Sequence, residues 1–378
     1  MTIELIIRFV LIFAASSVVS YALFWGVMHY FPKWGLLDNP APYGHDRKPV
    51  PHGVGVVLYL NFLICSIAFL GMSEKLAILL VLGAIVTIVS FLDDLDTIYK
   101  YSEKDKSTKT GEMIKPRETP FAVSPKIRLA LQILIGLIVG LTSIKISYVS
   151  NIFGGIVHLD WLSFTAFGLE VYIVPLLFTI VWYVVVFNSV NWSDGVPGLT
   201  SGLTSIAFIV IGILTVRFYY LDQTPELHQN SIFVFSILAV CLPAALIGWF
   251  LGMRPRILLG DSGTMFASFI IASLALLVGG KVATVATALG VYLIDAFYVI
   301  FARILSGKNP LKGDRIHHLH YRLLAIGMSE GSIRAFVWSL AFLFGMAAAF
   351  LDKVGKIILF VALVLVIVFV TKILSLKK

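Results

Sequence analysis

The chain has 378 residues, 59% of them hydrophobic and only 13% charged, with 28 Phe and a formal net charge of +8. A soluble domain of this size carries about 25% charged residues and cannot cover so much apolar side chain, so a water-soluble globule is excluded. The two cysteines, Cys65 and Cys241, sit in apolar runs without metal-ligand spacing, which points away from a disulfide framework and a structural zinc.

The apolar stretches are continuous rather than alternating, which favours helices over a barrel, since every backbone amide in lipid needs an internal partner. A span takes about 20 residues. On that measure the chain is an all-α polytopic integral membrane protein of about eleven transmembrane helices, at 4–30, 52–71, 75–92, 127–144, 171–187, 199–220, 230–250, 262–280, 282–302, 332–351 and 356–373. The first lacks a basic leader and a small-residue cleavage site, so it reads as a span rather than a signal peptide. Gly279, Gly280 and Lys281 separate the eighth from the ninth; a break inside one tilted element there reduces the number to ten. The stretches KISYVS and GGIVHLDW within 145–170 alternate and predict a short hairpin. The whole chain, 1–378, forms one membrane-embedded domain.

An odd number of spans puts the termini on opposite sides. With the N-terminus outside, the inner segments are 31–51, 93–126, 188–198, 251–261, 303–331 and the tail from 374. These segments and their span edges hold 21 of the 29 Lys and Arg, so the positive-inside rule makes them cytoplasmic, with the C-terminus.

Four polar clusters interrupt the apolar pattern. In FLDDLDTIYK, Asp93, Asp94 and Asp96 end a span, and crowded carboxylates there suit a cation such as magnesium or raised pKa values; a solvated helix end is the plain alternative. In FNSVNWSDGVPGLTSG, Asn188, Asn191 and Asp194 recur every three residues and share one face if the segment is helical, suited to a base, a sugar or a metal-bound water; a polar helix cap is the alternative. In RPRILLGDSGTMF, Asp261 stands between Gly260 and Gly263, either as a cap-region residue or as a metal ligand beside a helix N-terminus that favours phosphate. In KGDRIHHLHYRL, Asp314, Arg315, His317, His318, His320 and Arg322 gather groups suited to a pyrophosphate, against a zinc site or a lipid-binding basic patch. All four fall on the inner side. A transporter places ionisable groups at membrane depth along a path, so the pattern favours an interfacial enzyme; a scaffold predicts that Asp94→Ala or Asp261→Ala is functionally silent.

In order and sidedness these motifs resemble those of the polyprenyl-phosphate N-acetylhexosamine-1-phosphate transferases, of glycosyltransferase 4 type. The resemblance runs from about residue 30 to 330: PVPHGVGV at 49–56, Asp93-Asp94, SPKIRLALQ at 124–132, NSVNWSDGVPGLTSG at 188–202, GDSG at 260–263 and the histidine cluster. It implies transfer of a sugar-1-phosphate from a UDP-amino sugar to undecaprenyl phosphate with release of UMP, needing Mg2+ or Mn2+. It also implies Asp93, Asp94 and Asp261 as catalytic residues, with Asp261 and Asp94 on the metal. Asn188, Asn191, Asp194, His317, His318, His320 and Arg322 would then bind substrate. The partners implied are undecaprenyl phosphate, a UDP-HexNAc, membrane lipids and a second copy of the chain, with no nucleic acid; the setting is a bacterial cytoplasmic membrane.

Two departures stand out. DGVPG carries Pro197 where the family has a second aspartate, and HHLHYR aligns His318 and His320 with a His-x-His-His pattern while Tyr321 takes the last place. The related MurNAc-pentapeptide transferases carry His-His-His followed by Phe-Glu, which HHLHYRLL does not match, so UDP-GlcNAc or a related UDP-HexNAc is the expected donor.

Overall fold

The computed structural model describes residues 2–38, 48–100, 119–146, 148–150, 155–166, 168–221, 224–254, 256–278, 282–309 and 317–376. Along these run α1 (Ile3–Tyr30), α2 (Val56–Phe69), α3 (Glu74–Lys100), α4 (Pro125–Gly140), β1 (Tyr148–Ser150), β2 (Ile156–His158), β3 (Ser163–Ala166), β4 (Leu169–Tyr172) and α5 (Ile173–Asn191). There follow α6 (Leu199–Leu221), α7 (Pro225–Met253), α8 (Gly260–Leu277), α9 (Val282–Ala288), α10 (Gly290–Leu305), α11 (Leu319–Ala325), α12 (Glu330–Phe350) and α13 (Lys353–Leu376). The Gly279–Lys281 turn, Asp314 and Arg315 lie outside the described residues.

Among the described residues, eight helices are long and apolar enough to cross a membrane, or nine if the bent pair α9–α10 counts as one span. This corrects the expected eleven. The helix expected at 52–71 loses its first residues because 51–55 are drawn into backbone pairing with 258–259: Leu258 N–H donates to Pro51 O at 2.9 Å and Gly55 N–H to Leu259 O at 2.8 Å. The 14 residues left in α2 reach about 21 Å at 1.5 Å per residue, short of the roughly 30 Å of hydrocarbon. The helix expected at 127–144 stops at Gly140, where Leu141 N–H closes on Leu137 O and Ile138 O, leaving 16 residues in α4. A bend not anticipated from the sequence lies at Leu289, where α9 and α10 meet at 81°. Between α4 and α5 stand two antiparallel hairpins, β1–β2 and β3–β4, where one was expected.

The centre is α8, buried continuously from Ser262 to Leu277 and surrounded by α2, α3, α5 and α6. At the margin, α1 turns Ile3, Ile7, Val10 and Leu11 outward and α13 turns Leu365, Val368 and Phe369 outward, a surface for lipid tails rather than water. The C-terminal ends of α3 and α5 and the N-terminal ends of α4 and α8 meet at one end of the bundle. Ser124 caps α4 there, accepting from Ile127 N–H at 3.3 Å, with Pro125 in the first turn.

The approach of α2 to α8 is made by two glycines: a Cβ at Gly55 would overlap the backbone of Gly263, and the reverse holds. Gly55→Ala is therefore expected to cost about 1–3 kcal/mol through overpacking. Gly71→Ala, in open space, should be neutral. Thermal unfolding of the two variants in detergent makes the comparison.

Candidate active site

The first turn of any helix exposes N–H groups with no partner in the helix itself. At the start of α8 these are met from α3: Asp261 N–H donates to Asp94 Oδ1 at 2.6 Å and Ser262 N–H to Asp94 Oδ2 at 3.0 Å. The approach requires Gly260, whose φ of 72° is left-handed and whose missing Cβ would strike the Asp94 carboxylate. Asp94 is 2% exposed and also meets His52 Nε2 at 3.3 Å. Both oxygens of this expected metal ligand are thus engaged by the protein.

Its neighbour Asp93 faces the other way. Arg128 of α4 donates through one nitrogen, NH1, to Asp93 Oδ2 at 2.8 Å and to Asp261 Oδ2 at 3.2 Å. The other oxygen of Asp261 accepts from Asn191 Nδ2 at 2.9 Å, and the same amide reaches Thr264 Oγ1 at 2.9 Å. Asn188 donates to Gln132 Oε1 at 2.7 Å. The expected shared face of Asn188, Asn191 and Asp194 forms in a modified way. Helix α5 ends at Asn191, and i to i+3 bonds from Ser193 N–H to Val190 O and from Asp194 N–H to Asn191 O carry the turn onward, so all three line one pocket. Asp96 bonds Thr119 Oγ1 and lies 3.7 Å from Lys100 Nζ.

The pocket has a volume of about 780 Å³, within the range of small-molecule sites. Asp93, Asp194, Asp261, Arg128 and His52 form its polar end, while Leu129, Val185, Met265, Phe297 and Ile300 give it an apolar wall. Burial raises the Asp194 carboxyl to about 7, with the Asp261 and Asp94 charges adding to the effect against a hydrogen bond from Thr200. Burial alone would favour a neutral His52 ring, but the hydrogen bond and charge of Asp94, with Asp38 and Asp194 beyond, raise its pKa on balance.

The histidine segment is placed differently from the expectation. His317, His318, His320 and Arg322 do not line the pocket, whereas Tyr321 does. His318 packs one ring behind the wall, against Trp192 at 5.6 Å between centroids, and bonds Asp295 through Nδ1 at 2.7 Å. His320 is fully buried against Gly195, with no partner for either ring nitrogen among the described residues; burial and the neighbouring His318 lower its pKa to about 3, so it is neutral. Arg322 donates to Thr371 O of α13 and lies over the Tyr298 ring. Residues absent from the expected set are His52, Arg128, Gln132, Thr264 and Asp295. Asp295 alone carried a plain signal, as a carboxylate inside an apolar helix.

Among the described residues, no three His, Cys, Asp or Glu side chains form a metal-holding group. Magnesium needs fewer: one or two carboxylates, with water and phosphate oxygens completing the shell. Asp93 Oδ2 and Asp261 Oδ2, close enough to share one guanidinium nitrogen, fit that requirement.

A polytopic helical bundle with carboxylates, amides and a guanidinium gathered at one end, beside an apolar wall, defines a membrane-embedded enzyme acting where a polar and a lipid substrate meet. Residues 76–279, over half of the chain, match the family described as Glycosyl transferase family 4. A probable undecaprenyl-phosphate N-acetylglucosaminyl 1-phosphate transferase of Bacillus subtilis (strain 168) is 24% identical over 359 residues, covering 93% of this chain and 87% of its own length. A phospho-N-acetylmuramoyl-pentapeptide-transferase of Shouchella clausii (strain KSM-K16) is 25% identical over 362 residues, 92% of this chain and 98% of its own. An undecaprenyl-phosphate alpha-N-acetylglucosaminyl 1-phosphate transferase of Escherichia coli (strain K12) is 25% identical over 244 residues, 62% and 59%. The chain belongs to glycosyl transferase family 4, among the polyprenyl-phosphate N-acetylhexosamine and MurNAc-pentapeptide transferases, and its reaction is a transfer to a lipid phosphate of that kind. Both kinds of donor occur among these relatives.

Asp94→Ala leaves two buried amide N–H groups unpaired, each costing about 1–3 kcal/mol, whereas Asp94→Asn keeps one acceptor. Unfolding midpoints in detergent should fall in the order wild type, Asn, Ala. Asp194 gives a pH signature. Its proton is held more tightly in the folded chain, so its contribution to stability is largest below its ordinary 3.8 and is lost as pH rises toward about 7. Asp194→Asn should flatten the pH dependence of thermal stability in that window.

Proposed function

We propose that the chain transfers N-acetylhexosamine-1-phosphate, with GlcNAc-1-phosphate as the favoured group, from a UDP-sugar to undecaprenyl phosphate at the cytoplasmic face of a bacterial membrane. The observation that carries this reading is the single Arg128 nitrogen joining Asp93 to Asp261 at the polar end of a pocket whose other wall is apolar. An anionic headgroup and a prenyl chain need those two surfaces side by side.

In this reading an oxygen of the lipid phosphate attacks the donor's β-phosphorus. A new P–O bond forms, the bond from that phosphorus to the bridging oxygen breaks, and UMP departs with the electron pair. The acceptor's second pKa is about 6, so it is largely ionised near neutral pH and needs little general-base help. Direct attack is therefore favoured over a phosphoryl-aspartate intermediate. Mg2+ or Mn2+, held by Asp261 with Asp93 beside it, would supply charge neutralisation on the pyrophosphate and on the leaving UMP.

Arg128 moves from the carboxylates to phosphate oxygens once charge there is balanced, a bidentate role suited to guanidinium. Asn191 holds Asp261 in orientation. Asp94, first expected on the metal, acts instead by fixing the start of α8 and so the position of Asp261. Asn188, Asp194 and Tyr321 face the donor, while His317, His318, His320 and Arg322, first expected at its diphosphate, support the loop that carries Tyr321. The MurNAc-pentapeptide alternative is favoured by the Shouchella relative's 98% coverage, against it stands the HHLHYR sequence.

Purified protein with undecaprenyl phosphate, Mg2+ and a panel of UDP-sugars should release UMP from a UDP-HexNAc and not from UDP-MurNAc-pentapeptide, and chelation should stop it. Asp261→Ala should lower the rate by at least about 100-fold with the unfolding midpoint retained, as for loss of a transition-state electrostatic group. Absence of UMP release from every donor would refute the reading.

A further inference from the structure

Trp192, Asp194, Gly195, Val196 and Pro197, in the turn between α5 and α6, all line the pocket. Pro197 brings neither an N–H nor a polar side chain, so Asp194 is the one carboxylate of this wall, and the backbone around it decides where that carboxylate stands. A site residue on a turn is only as well placed as what packs behind it.

Behind this turn stand α7 and α12. Gly198, with a left-handed φ of 77°, approaches α7 so closely that a Cβ would come within 2.7 Å of the Gly252 carbonyl carbon. Trp338 of α12 donates from Nε1 to Leu199 O at 3.0 Å, and its indole leaves no room for a Cβ at Gly202. Arg334, one turn earlier on the same face of α12, donates from its guanidinium to Pro197 O at 2.9 Å. Gly198, Gly252, Trp338 and Arg334 are not among the residues that line the pocket. The turn is thus held from the side away from it. The Arg334 side chain is 13% exposed, and its charge is answered by Glu330 Oε2 at 3.7 Å. It is therefore no spare cation for a phosphate.

We propose that Arg334 is a positioning residue for donor binding: its bond to Pro197 O fixes the turn from outside the pocket and so sets Asp194 against the nucleotide-sugar donor. This rests on the assignment of Asp194 to the donor made above. Arg334 touches no substrate itself. Trp338 supports the same turn, but its ring also packs on Trp249 at 5.0 Å, so its removal would open a cavity as well as break a hydrogen bond. Arg334 isolates the polar contact.

The decisive variant is Arg334→Met, which keeps much of the apolar stem and removes the donor group. In full-length protein in nanodiscs, amide hydrogen exchange should rise across 193–199, where the N–H groups of Ser193, Asp194 and Leu199 close the turn, while 261–262 stay protected by Asp94. With a UDP-HexNAc, KM for the donor should rise about 10- to 100-fold, the scale of a displaced positioning group, with kcat and the KM for undecaprenyl phosphate held within about 3-fold. Arg334→Lys, which keeps a charged donor on a shorter side chain, should fall between wild type and Arg334→Met. Glu330→Gln removes only a partly exposed ion pair and should leave the donor KM as it was.

An unchanged donor KM in Arg334→Met overturns the proposal, as does unchanged exchange across 193–199. An equal loss in Glu330→Gln, or a loss spread over kcat and the KM for the lipid, marks general damage to the fold and overturns it too. If Arg334→Met does not fold, Arg334→Lys decides by the same two readouts: a raised donor KM with faster exchange sustains the role, and wild-type values end it. If the wild type releases UMP and Asp194→Ala keeps the donor KM, the positioning role falls while the transferase reading stands. If the wild type releases none from any donor, the transferase reading falls and takes this proposal with it.

Discussion

Two amide N–H groups at the start of α8 have no partner within their own helix, and the carboxylate of Asp94 takes both. That contact ties the end of one span to the beginning of another 167 residues later. It also sets which way the adjacent side chains can go. With Asp94 turned to the backbone of α8, Asp93 on the next helical position points elsewhere, and Asp261 sits in the turn being capped. Asp93 and Asp261, which share Arg128, are therefore placed by a third carboxylate whose own oxygens are taken up by the backbone. A cap worth about 1 kcal/mol in an exposed helix becomes, when buried, the register mark between α3 and α8.

The sequence made the chemistry of this end visible because charge in an apolar chain is conspicuous. Asp93, Asp94, Asn188, Asn191, Asp194 and Asp261 all belong to runs that contradict their solvent, and all six line one pocket. The division of labour between Asp93 and Asp94 was not visible, since adjacent identical residues differ only in helical phase and in what lies across from them. Arg128 and His52 were inconspicuous for a different reason. Each is a lone polar residue at a span edge, where a basic side chain is already accounted for by topology. Only the fold shows Arg128 answering two carboxylates from separate helices.

Span counting erred where tertiary pairing competes with helix formation. Hydropathy extends the second helix through His52 and Gly53, but residues 51–55 bond to 258–259 and the helix begins at Val56. The same pairing places His52 beside Asp94, so the shortened helix and the added site residue have one cause. At the other side of the pocket, the bend at Leu289 turns α10 so that Ala296, Phe297 and Ile300 form pocket wall while Asp295 meets His318. An irregular backbone in a membrane protein is tolerated where protein covers it. Here it lets a single helix contribute an apolar wall and a buried carboxylate.

The charge balance of the pocket explains why its members depend on one another. Asp93, Asp194 and Asp261 face Arg128 and the partly protonatable His52, an excess of acid that a low-dielectric wall makes more costly than it would be in water. The site relieves the excess by two routes visible in the geometry. One is sharing, in which a single guanidinium nitrogen serves two carboxylates. The other is proton uptake, expressed in an Asp194 carboxyl raised to about 7. A diphosphate brought into the same space would add negative charge to a region already short of positive charge, so it can be stable only if a cation comes with it. In the proposed reaction, carboxylates arranged this way would not bind the anionic substrate but would make its binding conditional on a counter-charge. Arg128 would then be the cation left to meet the phosphate oxygens.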